Sequence, residues 1–409
     1  MVLSSLFPSR MQPTAGLFVR ERMFRVGQRL PLAVVAPVPW FPLQGLLRRF
    51  KPGFRPGAPR HEAQGGFEVW FPRFLSVPGL LKQFDGLAMA LGAWPRLRRL
   101  KRAGRLDLID AHFAYPDGYA ATLLGRWLDV PVTITLRGTE VRHARDRRLA
   151  PLLRQALMGA TRVFAVSESL RKIALALGIA PDRVRVVGNG VDLQKFAPMP
   201  KAEARGQLGL PLDAPVLITV GALVERKGFH RVIELLPALR DRHPGLLYLV
   251  IGGASPEGDM SDALHEQVNR LGLGDAVRFL GPLPPEQLRR PLSAADVFVL
   301  ATRNEGWANV LLEAMACGLS VVATDVGGNA EVVNDAALGE VVPFGDPPAL
   351  RRAISDALTR PRDPAAIRRY AQANSWDPRV AVLVEEFRRA CRHARIDALR
   401  PPIGAARDA

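Results

Sequence analysis

The sequence predicts an α/β protein of two doubly wound domains facing each other across a cleft, and three observations carry that expectation. At 409 residues the chain is long for one core and suits two domains of about 150–200 residues each. Short runs rich in β-branched residues recur through both halves, separated by stretches with charged faces. The runs are apolar throughout rather than alternating, as parallel strands buried on both faces require.

In the first half the strand-like runs are "PLAVVAPVP" (31–39), "LDLIDAHFAY" (106–115), "VPVTITLRG" (130–138), "RVFAVSES" (162–169) and "VRVVGNGVD" (184–192). Between residues 40 and 66 the pattern lapses into "WFPLQGLLRRFKPGFRPGAPRHEAQGG", read as a surface insertion. The second half gives "PVLITVGAL" (215–223), "LLYLVIGG" (246–253), "VRFLG" (277–281), "DVFVLATR" (296–303) and "SVVATDV" (320–326). Helix-like "HRVIELLPALRDRH" and "SDALHEQVNRLG" lie between them. The break falls near "LQKFAPMPKAEARGQLG" (193–209). That gives a first domain over 1–195, a second over 205–372, and a helical segment over 373–409 packing back toward the first. Doubly wound sheets bind ligands outside the carboxyl ends of their strands, so the expected site is an interdomain crevice.

The composition, 48% hydrophobic and 23% charged with no low-complexity tract, is that of a globular protein. Cys317 and Cys391 are the only cysteines and share no metal-ligand spacing, which points to a reduced cytosolic setting. The opening "MVLSSLFPSRMQ" lacks the basic start and apolar run of a signal peptide. No uncharged apolar run approaches the roughly 18–20 residues that span a bilayer; the richest, "VPGLLKQFDGLAMALGAW", is interrupted by Lys82 and Asp85. A soluble or surface-bound protein is expected. The net charge of +17 is uneven: residues 1–200 carry 31 basic against 13 acidic side chains, residues 201–409 carry 25 against 26. The first half is therefore suited to an anionic partner.

The stretch "NEGWANVLLEAMACG" (304–318) holds Glu305 and Glu313, and from Gly306 to Thr324 Glu313 is the only charged side chain. Burying an unpaired carboxylate is costly, so Glu313 needs a partner. "DVFVLATR" predicts a buried strand and "WANVLLEAMACG" a helix closed by Gly318, which puts Glu305 in the turn at the sheet's carboxyl edge. Backbone N–H groups from Gly306 through Trp307 and Ala308 to Asn309 open that helix, and its positive dipole end suits a phosphate. Two carboxylates flanking such a cradle can accept hydrogen bonds from hydroxyls on either side of an anion. A nucleoside diphosphate sugar has that layout. The alternative is that Glu313 pairs with a core Arg or Lys and Glu305 is an exposed turn carboxylate; spacing alone does not separate the two. "GALVERKG" sets Arg226 and Lys227 between a strand and a helix opened by Gly228. A lysine there can meet a diphosphate and stabilise a leaving group, or it is a solvated turn residue. "VVGNGVDLQKF" has turn glycines without dinucleotide-fingerprint spacing.

Together, "EGWANVLLEAMACGLSVVATDVGGNAEVV", "GNGVDLQKF" and "GALVERKG" resemble the retaining glycosyltransferases of family four, with the GT-B fold of two Rossmann-like doubly wound domains facing across a cleft. The likeness covers the second half closely and continues more loosely through "SLFPSRMQPTAGLFVRE" and "LIDAHFAYPDGYAATLLGR", which look like members that build bacterial exopolysaccharide, teichuronic acid or lipopolysaccharide repeats. The resemblance implies that Glu305 holds the transferred sugar's hydroxyls, Glu313 the ribose, and Lys227 the diphosphate, with the backbone of Trp307, Ala308 and Asn309. It also implies that Gly16 lets the first loop approach the phosphates, and that Phe279 and Gly281 lie where the base is met. Two positions depart from the family. Ala222 stands where many members have a phosphate-binding Arg, for which Arg226 is the substitute. Arg137 stands where many have a histidine, and an arginine cannot serve as a general base. His112 in "DAHFAYPDG" then becomes the first domain's catalytic candidate, or a histidine hydrogen-bonded in a strand-end turn.

The implied reaction is transfer of a hexosyl unit with retention, the departing diphosphate helping to take the acceptor's proton. The enzyme mainly orients substrates and stabilises leaving-group charge. With no Asp-x-Asp motif, no metal or cofactor is expected; Lys227 and the helix start supply the countercharge. The expected partners are a nucleoside diphosphate sugar and a glycan or polyprenyl-diphosphate-linked acceptor. "WFPLQGLLRRFKPGFR" and "LLKQFDGLAMALGAWPRLRRLKRAGR" mix apolar and basic residues suited to the anionic inner face of the cytoplasmic membrane. A nucleic-acid partner is not expected, because the high pI comes without a reader motif. An epimerase sharing the fold, or a noncatalytic nucleotide-sugar-binding relative, is the alternative function.

Overall fold

A computed structural model describes residues 1–50, 54–55, 57–255 and 257–399, with side chains described through residue 392. The chain divides into two compact units, one of Met1–Asn189 with the chain from Asp377 onward, the other of Gly190–Trp376. The crossing falls at Asn189/Gly190, ahead of the 193–209 stretch expected from sequence. The reason is packing: Val191, Phe196, Ala204 and Leu210 are buried in the core of the second unit.

The first unit's strands are β1 (Val2–Leu3), β2 (Val34–Val35), β3 (Val38–Trp40), β4 (His61–Gln64), β5 (Phe67–Trp70), β6 (Arg73–Leu75), β7 (Ile109–His112), β8 (Val132–Leu136), β9 (Arg162–Ala165) and β10 (Val184–Val186). Eight form one sheet in the order β10-β9-β8-β7-β1-β2-β5-β4, parallel except for the β4–β5 edge pair. β3 and β6 make a separate parallel pair. Residues 40–66 are therefore not a plain loop. They contain a helix, Gln44–Phe50, and the edge strand β4; residues 51–53 and 56 of that basic stretch lie outside the described residues. The long helix Trp376–Leu399 adds to this unit: Phe387 meets Phe164 edge-on at 5.9 Å, and buried Glu386 pairs with Arg162 at 2.9 Å and Arg185 at 2.5 Å.

The second unit is a six-stranded parallel sheet of β11 (Val216–Val220), β12 (Leu247–Ile251), β13 (Val277–Gly281), β14 (Val297–Leu300), β15 (Ser320–Thr324) and β16 (Gly339–Val342), in the order β13-β12-β11-β14-β15-β16. Successive strand residues go to opposite faces. Ile218, Leu249, Phe298 and Val321 fill one core, and Leu217, Tyr248, Val297 and Val322 fill the other. Both faces are thus buried, which is why these strands read as unbroken apolar runs. Tyr248 tolerates burial because its hydroxyl donates to Thr219 Oγ1 at 2.8 Å, and Thr219 in turn donates to Val299 O.

Candidate active site

At the carboxyl edge of the second unit's sheet, two neighbouring strands deliver opposite charges to one point. After β11 the chain makes a short 3-10 turn, Glu225–Lys227, and Gly228 opens the helix Phe229–Arg242. Gly228 has φ +79°, and a Cβ there would stand 1.9 Å from Ala301 O at the end of β14. A glycine is what allows the two strand ends to close on each other. Backbone groups zip the loops: Arg303 N donates to Arg226 O at 2.8 Å, and Thr302 Oγ1 lies 3.0 Å from the same oxygen.

The zipped loops bring Lys227 Nζ to 2.7 Å from Glu305 Oε1, with Thr302 Oγ1 at 3.2 Å and Arg226 Nη1 at 3.3 Å from that oxygen. The Glu305 side chain is 9% exposed, so its charge is compensated close at hand. Arg226 forks onto Glu257 at 2.8 and 2.9 Å, which raises its pKa, with Glu305 adding to the effect. Two cations and two carboxylates therefore share this edge. The lysine bonds one carboxylate oxygen, while an ammonium has three donors.

Glu305 continues into the helix Asn309–Ala316, two residues shorter at its start than the sequence indicates because Ala308 is the extended N-cap and Trp307 precedes it outside the helix. The C-terminus forms as expected: Leu319 N donates to Ala314 O and Gly318 N to Met315 O, a Schellman closure. Glu313 is half-buried rather than sealed in the apolar stretch around it. It sits one turn ahead of Cys317, whose thiol is pushed up to about 12 by burial first and by the Glu313 charge second. Gly306, Trp307 and Asn309 are half-buried and Ala308 buried. The Trp307 indole packs on the core, and its Nε1 is buried without a hydrogen-bond partner.

Phe279 and Gly281 are on β13, which is separated from β11 by β12. They belong to the same sheet edge but not to the Glu305–Lys227 group. At about 4.8 Å per strand they stand about 10 Å from β11. Phe279 stacks on His265 with ring centroids 4.0 Å apart and planes at 21°. Sequence reasoning passed over His265, Thr302, Glu257 and Gly327. A Cβ on Gly327 would meet Glu305 O at 1.7 Å, and the signal available was the glycine pair separated from β15 by two residues.

Gly16 and His112 belong to the first unit. Gly16 has φ +69° and opens the helix Leu17–Gly27; a Cβ there would lie 2.2 Å from Leu6 O. Its own loop already requires a glycine. His112 ends β7 and is fully buried. Its Nδ1 accepts from Arg137 Nη2 at 2.8 Å, and Asp110 Oδ2 lies 3.2 Å from its Nε2. Burial first, then the Arg137 charge, pull its pKa down to about 4, with Asp110 opposing. Nδ1 is thus occupied by Arg137, while Nε2 faces Asp110 without a well-aligned hydrogen bond. The structure places His112 as a buried, hydrogen-bonded support at the strand end, the alternative stated for this residue. Arg137 completes that support: Nη1 donates to Asn189 Oδ1 at 2.8 Å, and its pKa is lowered, chiefly by burial. Glu140 accepts from the backbone N–H groups of Ala114, Arg137 and Gly138. Asp117 is buried, accepts from Ser5 N and Ser5 Oγ, and is raised to about 7 by burial.

Two wound sheets with this edge chemistry define the GT-B class of glycosyltransferase folds. Sucrose-phosphate synthase from Thermosynechococcus elongatus superposes with a TM-score of 0.76 at 21% identity, covering 95% of this chain and 98% of its own. HepE from Anabaena, solved with UDP, gives 0.70 at 20% identity over 94% and 98%. The profile described as Glycosyl transferases group 1 matches residues 200–374, and that of Glycosyltransferase Family 4 matches 34–195. TuaC of Bacillus subtilis (strain 168), a glycosyltransferase named for teichuronic acid biosynthesis, is 29% identical over 93% of this chain and 90% of its own. The D-inositol 3-phosphate glycosyltransferase of Saccharomonospora viridis is 32% identical over 72% of this chain and 73% of its own. The chain belongs to this family of glycosyltransferases. Among the described residues no group of three or more His, Cys, Asp or Glu is arranged to hold a metal, and no helix is long and apolar enough to cross a membrane.

Proposed function

We propose that the protein transfers a hexosyl unit, with retention, from a nucleoside diphosphate sugar to a glycan or polyprenyl-diphosphate-linked acceptor in bacterial surface polysaccharide synthesis, at the inner face of the cytoplasmic membrane. The observation that carries the reading is the Lys227–Glu305 contact of 2.7 Å at the carboxyl edge of a parallel sheet. A diphosphate arriving there takes up the lysine's free donors, and its developing charge is stabilised as the glycosidic bond breaks. Glu305 is then left to accept hydrogen bonds from sugar hydroxyls, and Glu313 from ribose, with Arg226 and the backbone of Gly306 to Asn309 beside the phosphates. Phe279 and Gly281, about 10 Å from β11, stand where the base of an extended ligand would lie. Countercharge from lysine and helix start makes a metal unnecessary in this reading.

The likeness to TuaC runs along nearly the whole chain, whereas the inositol phosphate enzyme matches under three-quarters of it. That difference supports a surface-polymer acceptor. HepE's complexes with UDP and UDP-glucose support a uridine or related nucleotide.

The test is a thermal-shift panel of UDP, GDP, ADP, CDP and dTDP, with and without Mg²⁺, on wild type and Glu313→Ala. Ligand at 100 times its Kd adds about 2.7 kcal/mol. A metal-independent shift with one nucleotide, lost in Glu313→Ala, is the expected result; a flat panel would overturn the reading.

A further inference from the structure

The helix Gln44–Phe50 is built inside out. Leu43, Leu46, Leu47 and Phe50 recur at the spacing of a single helical face, yet they are 65, 51, 42 and 82% exposed. The buried residue is the polar Gln44, whose Nε2 donates to Arg55 O at 3.1 Å. Arg55 in turn donates to Ser76 O at 2.6 Å, fixing this helix to the end of β6. Trp40 and Leu75, register partners in the β3–β6 pair, are both exposed. Beyond β6, Leu80, Leu81 and Phe84 are exposed, followed by Leu87 and Leu91 along one face of the helix Asp85–Arg102. Among the described residues, most of the exposed large apolar side chains thus come from residues 40–91, a density that marks a binding surface.

The charge around it selects the occupant. Residues 45–105 hold 13 basic side chains against 3 acidic ones. Arg49 flanks the exposed face of the first helix, and Arg98 continues the Leu87–Leu91 ridge of the second. A second copy packing through this face would set cations against cations. An anionic bilayer offers hydrocarbon for the leucines and phenylalanines and phosphates for the arginines.

We propose that this face, the helix Gln44–Phe50 together with Gly79–Leu91 and the β3–β6 pair, inserts its apolar side chains into an anionic lipid surface. The inference rests on the membrane-linked acceptor of the proposed function and names the surface that would serve it.

The test is co-sedimentation with vesicles of phosphatidylcholine alone and of a phosphatidylcholine–phosphatidylglycerol mixture, using wild type, Phe50→Glu/Leu81→Glu and Arg49→Gln/Arg98→Gln. Wild type should sediment with the anionic vesicles only. The apolar pair should weaken binding roughly tenfold or more, and each arginine lost should weaken it about fivefold, less so at high salt. Arg49, Phe50, Leu81 and Arg98 are all exposed, so the variants should fold; circular dichroism and melting of the same samples check this, and the nucleotide panel is run beside them. Wild type that ignores anionic vesicles, or a Phe50→Glu/Leu81→Glu variant that binds them equally, would overturn the proposal. So would a wild-type dimer, seen by analytical ultracentrifugation, that the same variant disperses. Vesicle binding without any nucleotide shift would instead sink the catalytic reading and leave the docking surface standing.

Discussion

Acid should destabilise the wild-type protein through His112 in a way that His112→Asn escapes. The His112 ring has an ordinary value of 6.5 in the unfolded chain and about 4 when folded, because burial and the neighbouring Arg137 oppose its protonation more than Asp110 favours it. Below pH 6.5 the unfolded chain therefore takes up a proton that the folded chain refuses. The stability contributed is complete above 6.5 and is lost as pH falls toward 4. The gap corresponds to about 3 kcal/mol, or roughly 6–12 °C in the melting of a unit of this size. Asparagine keeps an acceptor, Oδ1, where Nδ1 faces Arg137, so the variant starts less stable but follows a flatter acid limb. Melting both proteins from about pH 7.5 down to 4 measures the difference in slope, and NMR titration of the His112 ring gives its midpoint directly. Parallel curves, or a midpoint near 6.5, would refute the account of His112 as a neutral hydrogen-bond acceptor for Arg137.

Lys227→Ala and Glu305→Ala should each lower kcat by roughly a hundredfold to a thousandfold while circular dichroism stays native; turnover at the wild-type rate in either would remove that residue from the mechanism. Asp117→Asn should be neutral near pH 4 and stabilising above pH 7. The wild-type carboxyl, raised to about 7, loses stability as pH rises from its ordinary 3.8; the gap sets an upper limit of about 4 kcal/mol, read by urea titration at the two pH values. Gly228→Ala must both adopt a positive φ and displace Ala301 O, so it should cost about 2 kcal/mol or more. The readout is a melting point lowered by roughly 4 °C or more, together with loss of the nucleotide shift.

The second unit was largely legible because its strands are buried on both faces and announce themselves as unbroken apolar runs; only β16, carrying Gly339 and Glu340, escaped. The first unit was less so. β1 is two residues long yet lies in the middle of its sheet, and two residues carry no periodicity. β4 begins with His61 and Glu62, polar residues that an edge strand tolerates and a sequence pattern does not flag. At the site, spacing located Glu305 and Lys227 but not their direct contact, which depends on Gly228 meeting Ala301 across two strands far apart in sequence. For the histidine of "DAHFAYPDG" the sequence offered two readings, because its burial depends on contacts far apart in sequence. Arg137, noticed as a departure from the family, is the group that occupies that histidine.

The discontinuity of the first unit bears on how the polypeptide is made. Domains usually mature in the order of synthesis, but here the second unit is a continuous segment and the first is not. Arg162 and Arg185 emerge from the ribosome some two hundred residues before Glu386, the carboxylate that neutralises them, and Phe164 waits equally long for Phe387. The later-encoded unit can thus close its core while the earlier one is still open along β9 and β10. Emergence of the helix that carries Glu386 and Phe387, rather than of the first domain, becomes the event that completes the nascent enzyme, and a premature stop before residue 386 would release a protein whose finished half is its second.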